Sequence, residues 1–376
     1  MLRVETQQHR TWRDRKKYLW VLGLIVPACA LLPSTLVALT GQTILWWIGP
    51  MLIFGAIPLI DGIVGDDGEN PPDEVYEELS NVRFYRWCTY AFLPMQIVAM
   101  TVACWLWSFG TLDMVDKLGL AVTIGLVNGI GINAAHELGH RREKHERWLS
   151  KAALAPTLYG HFFVEHNRGH HANVATPNDP ASSRLGESVW QFIPRSVAGG
   201  FRSAWRLERT RLLKTGRSPW STDNHILQAW LFSAVLFGSL LLVFGWAAAP
   251  WLLLQACIAF GLLELVNYVE HYGLLRGRLA NGRFERCLPR HSWNSDRLVT
   301  NIFLFHLQRH SDHHANPGRR YQTLRSNDEA PQLPYGYATM VLLALVPPLW
   351  RAVMDKRVLA HYGGDITKAN VVAKLK

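Results

Sequence analysis

The chain is poor in cysteine. Cys29, Cys88, Cys104, Cys257 and Cys287 are scattered over 376 residues without a C-x-x-C pair. That pattern excludes a thiolate-bound iron–sulfur centre within the chain and also a disulfide framework. Any electrons the chain uses must come from elsewhere. It has no low-complexity tract and no repeat of solenoid length, which removes the repeat architectures. Charge is missing from long stretches: five apolar runs hold no Lys, Arg, Asp or Glu, and a sixth holds only Glu264.

What is present is apolar bulk, with 49% hydrophobic residues and 16 Trp, which points to lipid as the solvent. The six runs cover roughly residues 18–39, 43–60, 90–109, 118–135, 229–246 and 250–269. Each approaches the ~20 residues a helix needs to cross a bilayer. The connections 40–42, 110–117 and 247–249 are short, so the runs pair as three helical hairpins. A stretch at 338–350, ending in Pro347 and Pro348, is too short to span and reads as a buried or interfacial helix.

Of the 39 Lys and Arg residues, only Lys117 falls in those short connections. The positive-inside rule then places both termini and every long segment in the cytoplasm. Six basic residues up to Lys17 precede a full-length run with no small-residue cleavage site, so the N-terminus reads as an anchor and not a signal peptide. A net charge of +10 on one face suits anionic lipid headgroups, and it would also steer an acidic soluble partner. The expected fold is an all-α membrane protein of six transmembrane helices. Its cytoplasmic helical cap spans 136–228 and 270–376, and residues 1–376 form one catalytic domain. The acidic segment DGIVGDDGENPPDEVYEE at 61–78 reads as a solvated loop, and ANGR at 280–283 as a tight turn.

Ten of the 16 histidines lie in four clusters. HELGH gives His136 and His140, EHNRGHH gives His166, His170 and His171, NYVEHYG gives His271, and HLQRHSDHH gives His310, His313 and His314, with His306 one turn upstream. Residues three and four apart share a helix face, so His136/His140, His166/His170 and His310/His313/His314 are each expected to converge. The adjacent pairs His170–His171 and His313–His314 diverge by roughly 100°, which lets one helix address two metals. Nine imidazoles exceed what one tetrahedral zinc needs, whereas two ions with four or five ligands each would use them all. Runs four and six end on the same membrane face, so all four clusters can meet there. His9, His145, His161, His225, His291 and His361 are isolated and read as ordinary polar residues. His306 could stack beneath His310 as a ligand but reads better as a packing or supporting residue.

Two divalent ions held by neutral rings need nearby acids to offset their charge. Glu137, Glu165, Glu270 and Asp312 are interleaved with the ligands, with Asp179 close by, and each is expected to accept from a ligand's outer N–H. Inside the sixth run, Asn267 sits one turn before His271 and could reach a metal through water or bond a neighbouring helix. Glu264, a further turn back, is expected to bond a neighbouring span. Imidazole alone does not name the metal.

Together HELGHR, EHNRGHH, NYVEHYG and LQRHSDHHANPGRRYQ resemble the membrane-bound alkane 1-monooxygenases. That family belongs to a wider histidine-rich group with fatty-acid desaturases and xylene monooxygenase. The resemblance runs from the first apolar run to the HYGGDITKAN tail. It implies a multi-pass enzyme of the bacterial inner membrane whose nine clustered histidines are the catalytic ligands of two non-haem iron ions, with no haem or flavin in the chain. It also implies O2 as co-substrate and hydroxylation of the terminal methyl of linear medium-chain alkanes to primary alcohols. The implied electron donor is rubredoxin, reduced in turn by an NADH-dependent rubredoxin reductase, and no nucleic-acid partner is expected. A bilayer-dissolved alkane calls for an apolar channel between helices. The expected lining is Ile53, Phe54 and Ile57 of the second run with Leu262, Leu263 and Val266 of the sixth, the fourth run contributing as well.

Other readings account for less. Acyl desaturation or xylene-type methyl hydroxylation would use the same scaffold. A membrane zinc protease reading of HELGH uses two histidines and leaves seven unexplained. A metal transporter would spread its histidines through the membrane depth.

Overall fold

The computed structural model describes residues 12–372, so His9 and both chain ends lie outside the described residues. The described residues form helices and no strands beyond isolated bridges. In chain order the elements used below are α1 (Lys17–Cys29), α2 (Pro33–Thr40), α3 (Thr43–Val64), α4 (Arg83–Phe109), α5 (Met114–Gly139), α6 (Lys144–Ala153) and α7 (Glu165–His170). They continue with α8 (Val189–Lys214), α9 (His225–Phe244), α10 (Trp246–His271), α11 (Leu298–Phe303), α12 (His310–Ala315), α13 (Tyr337–Ala344) and α14 (Pro347–His361).

Five of these helices, α3, α4, α5, α9 and α10, are long and apolar enough to cross a membrane, as in a multi-pass protein. The first expected span is broken: α1 and α2 meet at 69°, because Pro33 opens α2 and has no N–H to continue the ladder. The short C-terminal apolar stretch bends more, α13 turning 120° into α14 at Pro347. If each bent pair counts as one span, there are up to seven.

α5 is the axis of the bundle. Its central window is 89% buried, against 22% for α3 and α9. Asp113 starts it by accepting from the Asp116 amide at 2.8 Å. Glycines then let α10 approach: a Cβ at Gly125 would lie 2.9 Å from the Gln255 carbonyl oxygen, and one at Gly129 3.0 Å from that of Ala259. Asn128 crosses the same contact, donating to Gln255 at 2.8 Å. The two helices therefore end side by side, with His136 and His271 in their last turns.

The acidic segment after α3 is docked as well as solvated. Asp61, buried within α3, accepts from the amides of Val299 and Thr300 and from the Thr300 hydroxyl. Buried Arg309 donates to the carbonyls of Asp67 and Glu69 at 2.8 and 3.1 Å, which ties the loop to the base of α12. The ANGR segment does turn tightly, with Gly282 at φ 77° and the Leu279 amide donating to Arg283 at 2.8 Å.

Candidate metal centre and adjoining cavity

All nine clustered histidines meet at one end of the bundle, in two groups. His136, His140, His166, His171 and His313 make one, and His170, His271, His310 and His314 the other; the nitrogens offered within each group lie within 4.8 Å of one another. In the first, Nε2 atoms follow one another as His136–His313 at 2.9 Å, His313–His171 at 3.1 Å, His171–His166 at 3.0 Å and His166–His140 at 3.1 Å. In the second they run His170–His314 at 3.2 Å, His314–His310 at 2.9 Å and His310–His271 at 3.2 Å.

Hydrogen bonding cannot satisfy these chains. Each Nε2 carries either one proton or one lone pair, yet every inner ring of these chains has two Nε2 neighbours at bonding distance, so the contacts outnumber the ordinary bonds the rings can form. A shared cation removes the conflict. Nitrogens about 2.1 Å from one ion and at right angles are about 3 Å apart, close to the spacing seen. Burial, reinforced by neighbouring rings, holds His140, His166, His171, His310, His313 and His314 well below the usual histidine range. The rings are thus neutral at pH 7 and offer lone pairs. Nine ring nitrogens gathered in two pockets fit a pair of first-row divalent ions.

Local helix geometry deals the ligands out differently from simple i, i+4 spacing. α7 is a π-turn: the His171 amide bonds back to the His166 carbonyl, five residues away. The wider turn brings His166 and His171 into one group and sends His170 to the other, where ordinary α spacing pairs His166 with His170. In α12, His310 and His314 share a group and His313 turns to the other, so the three do not converge together.

The acids depart further from expectation. Asp179 does back a ligand, its Oδ2 accepting from His170 Nδ1 at 2.9 Å and from Ser182 at 2.6 Å. Glu137 instead pairs with Arg141 at 3.1 Å and accepts from the Tyr321 amide at 3.4 Å. Asp312 pairs with Arg319 at 2.7 Å and accepts from the Arg325 amide at 3.0 Å. Both acids are drawn off because arginines compete for them, Arg141 just after α5 for Glu137 and Arg319 from the chain after α12 for Asp312. Glu165 folds over Gly169, where a side chain would collide with its carboxylate, and burial pushes it up to about 7. Glu270 stands among the donors: its Oε2 is 3.1 Å from His310 Nε2, the nitrogen that faces the other rings. Glu137, committed to Arg141, is not placed as a protease base.

His306 joins neither group. Its Nδ1 donates to the Tyr321 carbonyl at 2.8 Å and its ring packs edge-on against Trp20, centroids 4.6 Å apart. His145, His161, His225, His291 and His361 also lie outside both groups. Glu264 accepts from Tyr159, which lies in the loop after α6 and not in a neighbouring span, at 2.7 Å. Asn267 lies 3.5 Å from the Glu264 carboxylate and reaches the cavity described next.

That cavity, about 820 Å³ counting its open side, abuts the histidines. His136, His166, His310 and Glu270 form one wall. Ile53, Phe54 and Ile57 of α3, Ile130 of α5, and Leu262, Leu263 and Val266 of α10 form much of the rest. In α3 the wall is another π-turn, Met51–Ala56, opened because Pro58 has no N–H to return to Phe54.

Comparison with known proteins fits this arrangement. A family model described as fatty acid desaturase matches residues 117–344. Alkane 1-monooxygenase 1 of Alcanivorax borkumensis is 45% identical over 360 residues, covering 95% of this chain and 89% of that protein. Alkane 1-monooxygenase of Pseudomonas putida is 44% identical over 358 residues, with the same coverage. The chain belongs to the alkane 1-monooxygenase family. The xylene/toluene monooxygenase hydroxylase component of Pseudomonas putida is more distant, at 29% identity over 255 residues and 66% of each chain.

For this member of the alkane 1-monooxygenase family, the sequence left several lining residues unnamed. Thr300, Phe303, Leu304, Leu307, Tyr337 and Val341 come from α11, the turn after it and α13. A signal existed for α13, whose apolar run is too short to span and so must pack against something. None existed for α11, which is brought to the wall by Asp61.

Proposed function

We propose that the chain hydroxylates the terminal methyl of linear, medium-chain alkanes as a non-haem di-iron monooxygenase. The observation carrying this reading is an apolar cavity, open on one side, that ends on two converging sets of imidazoles. Two irons held by those nine histidines, with Glu270 at hand, would supply reductive activation of O2: one oxygen atom enters a C–H bond and the other leaves as water, using two electrons and two protons.

The chain's own residues account for selectivity. An alkane offers only apolar surface, and the cavity answers with aliphatic and aromatic side chains, its polar groups being few: Asn133, Asn267, Thr300, Tyr337 and the residues at the histidine wall. α3 is largely uncovered by protein, so a wall made by α3 sets the cavity beside the lipid in which alkanes dissolve. A narrow sleeve that admits a chain end-on presents its methyl to the histidine wall, a positioning effect. An acyl thioester would require a place for its polar head that these walls do not supply.

Electrons are assigned to rubredoxin, reduced by an NADH-dependent reductase. Two surface depressions have His140 in their walls, and arginines outnumber acids around them, Arg141, Arg142, Arg147, Arg168, Arg319 and Arg320 against Glu77 and Glu143, a balance suited to an acidic donor. The charge asymmetry of the sequence supports a cytoplasmic site in the bacterial inner membrane.

The test is metal analysis of the purified chain coupled to NADH-driven turnover of octane with reductase and rubredoxin present. Bound iron with 1-octanol as product is expected. Zinc in place of iron, or oxidation only of a fatty-acyl thioester or of xylene, would refute the assignment. Leu263→Trp, which fills part of the cavity, should shift preference towards shorter alkanes, by about 10–200-fold against the longest one accepted.

A further inference from the structure

A second groove, about 1570 Å³ counting its open side, lies against the start of α1, and neither the histidine centre nor the alkane cavity contributes to it. Its walls include Arg13, Arg15, Trp20, Glu69, His306 and Gln322. Three of these residues are almost wholly buried and carry polar atoms without a hydrogen-bond partner among the described residues: Trp20 Nε1, His306 Nε2 and Gln322 Oε1. Unmet buried groups are costly unless something outside the chain meets them.

Their roles are fixed by the bonds they already make. His306 Nδ1 faces the Tyr321 carbonyl, which can only accept, so Nδ1 carries the proton and Nε2 is an acceptor. Gln322 gives its amide N–H to the Leu79 carbonyl at 3.1 Å, which leaves its oxygen as an acceptor. Trp20 Nε1 is a donor. His306 is also held at φ 54°, with Phe305 beside it at 48°, in a region that side chains other than glycine avoid. Strain of this kind persists where the surrounding structure demands it, commonly at binding sites.

The rim carries charge. Lys16 is paired with Asp67, and Asp14 accepts from Tyr85 at 2.6 Å. Arg13 and Arg15 are exposed and have no ion pair among the described residues. The groove thus combines two cations and a buried donor with two neutral acceptors and the carboxylate of Glu69. A phosphate ester carrying hydroxyl groups matches that set: the arginines and Trp20 meet the phosphate, and the hydroxyls donate to His306, Gln322 and Glu69. The groove opens beside the first turns of α1, where Tyr18, Leu22 and Ile25 are exposed as lipid-facing residues are.

We propose that this groove binds the headgroup of an anionic glycerophospholipid bearing a free glycerol, as in phosphatidylglycerol. Placement beside the apolar face of α1 favours a lipid over a soluble glycerol phosphate. Neutral acceptors beside two cations favour hydroxyls over the ammonium of ethanolamine. Occupancy would hold His306 in its strained turn, four residues before His310.

The experiment uses the full-length protein in neutral detergent, titrated separately with phosphatidylglycerol, phosphatidylethanolamine, phosphatidylcholine and soluble glycerol 3-phosphate. Native mass spectrometry counts adducts and thermal unfolding reads stabilisation. One phosphatidylglycerol per chain should be retained, with a raised Tm, at concentrations that leave the other lipids unbound. The double variant Arg13→Gln, Arg15→Gln changes only exposed side chains and should weaken retention about tenfold or more. Gln322→Leu should lower the preference for phosphatidylglycerol over phosphatidic acid, which lacks the glycerol hydroxyls. Equal retention of phosphatidylethanolamine, unchanged retention by the arginine variant, or full displacement by soluble glycerol 3-phosphate would each overturn the proposal.

Discussion

The two histidine groups are made of one residue type and lie side by side, yet they are backed differently. The five-histidine group reaches the surface: His140 and His171 are half-buried, and Arg141 follows His140 in the chain. Among the described residues, no carboxylate touches its rings. All members of the four-histidine group are buried; Asp179 backs the outer nitrogen of His170, and Glu270 stands among the donor atoms, 3.1 Å from His310 Nε2. Oriented acids raise ligand basicity and offset cation charge, so the inner group is built to retain an ion. The outer group, rimmed by arginine, is built to be reached.

The sharpest way to break this comparison is to remove one ligand from each side. His313→Ala and His314→Ala should each abolish hydroxylation and roughly halve the bound metal. Metal content and octane turnover check this, and a variant that kept both would leave the ligand set. Acid provides the next largest effect. Above about pH 6.5 neither folded nor unfolded rings take up protons, so pH has no leverage through them. Below it, the unfolded rings charge while the buried ones, held well below that value, do not, so stability falls as pH falls. Metal-free protein should therefore lose stability steeply below pH 6.5, by up to about 1.4 kcal/mol per ring for each pH unit, read as a falling melting temperature. Loss should come first in hydrogen exchange around His140, His166, His171 and His313.

Smaller effects sharpen the contrast. Asp179→Asn should weaken metal binding about 10–100-fold, read by competition with a chelator. Glu137→Gln, whose parent touches no ring, should leave it nearly unchanged. The least effect is expected from Arg142→Glu, on the exposed rim beside His140. Reduction by a protein donor should slow several-fold, most at low salt, whereas reduction by a small uncharged reductant should not change.

Much of this was legible in the chain. Four motifs, each short and rich in one residue, name all nine histidines, because helical spacing and a shared membrane face leave little else for them to do. Apolar runs locate the helices, and the faces of the second and sixth yield six cavity residues. The partners of Glu137 and Asp312 were not legible, because Arg141, Arg319 and Tyr321 compete with imidazole for those carboxylates and only packing decides the winner. Nor was the π-turn at Glu165–His170, since a bond shifted from i−4 to i−5 leaves no mark in composition. The break at Pro33 was visible as a residue, but its 69° angle depends on what α1 and α2 pack against.

The crossing of α5 and α10 has a consequence for the living membrane. The two helices touch where Gly125 and Gly129 leave no side chain between them, so they share a pivot about midway along their length. Long helices tilt when a bilayer thickens or thins. Helices held that closely cannot tilt independently without shifting their ends, and the ends here carry His136 and His271. The thickness of the surrounding lipid therefore becomes a mechanical input to the gap between the two groups, and growth temperature or solvent stress, by remodelling the lipid, would be felt there without any contact to the cap.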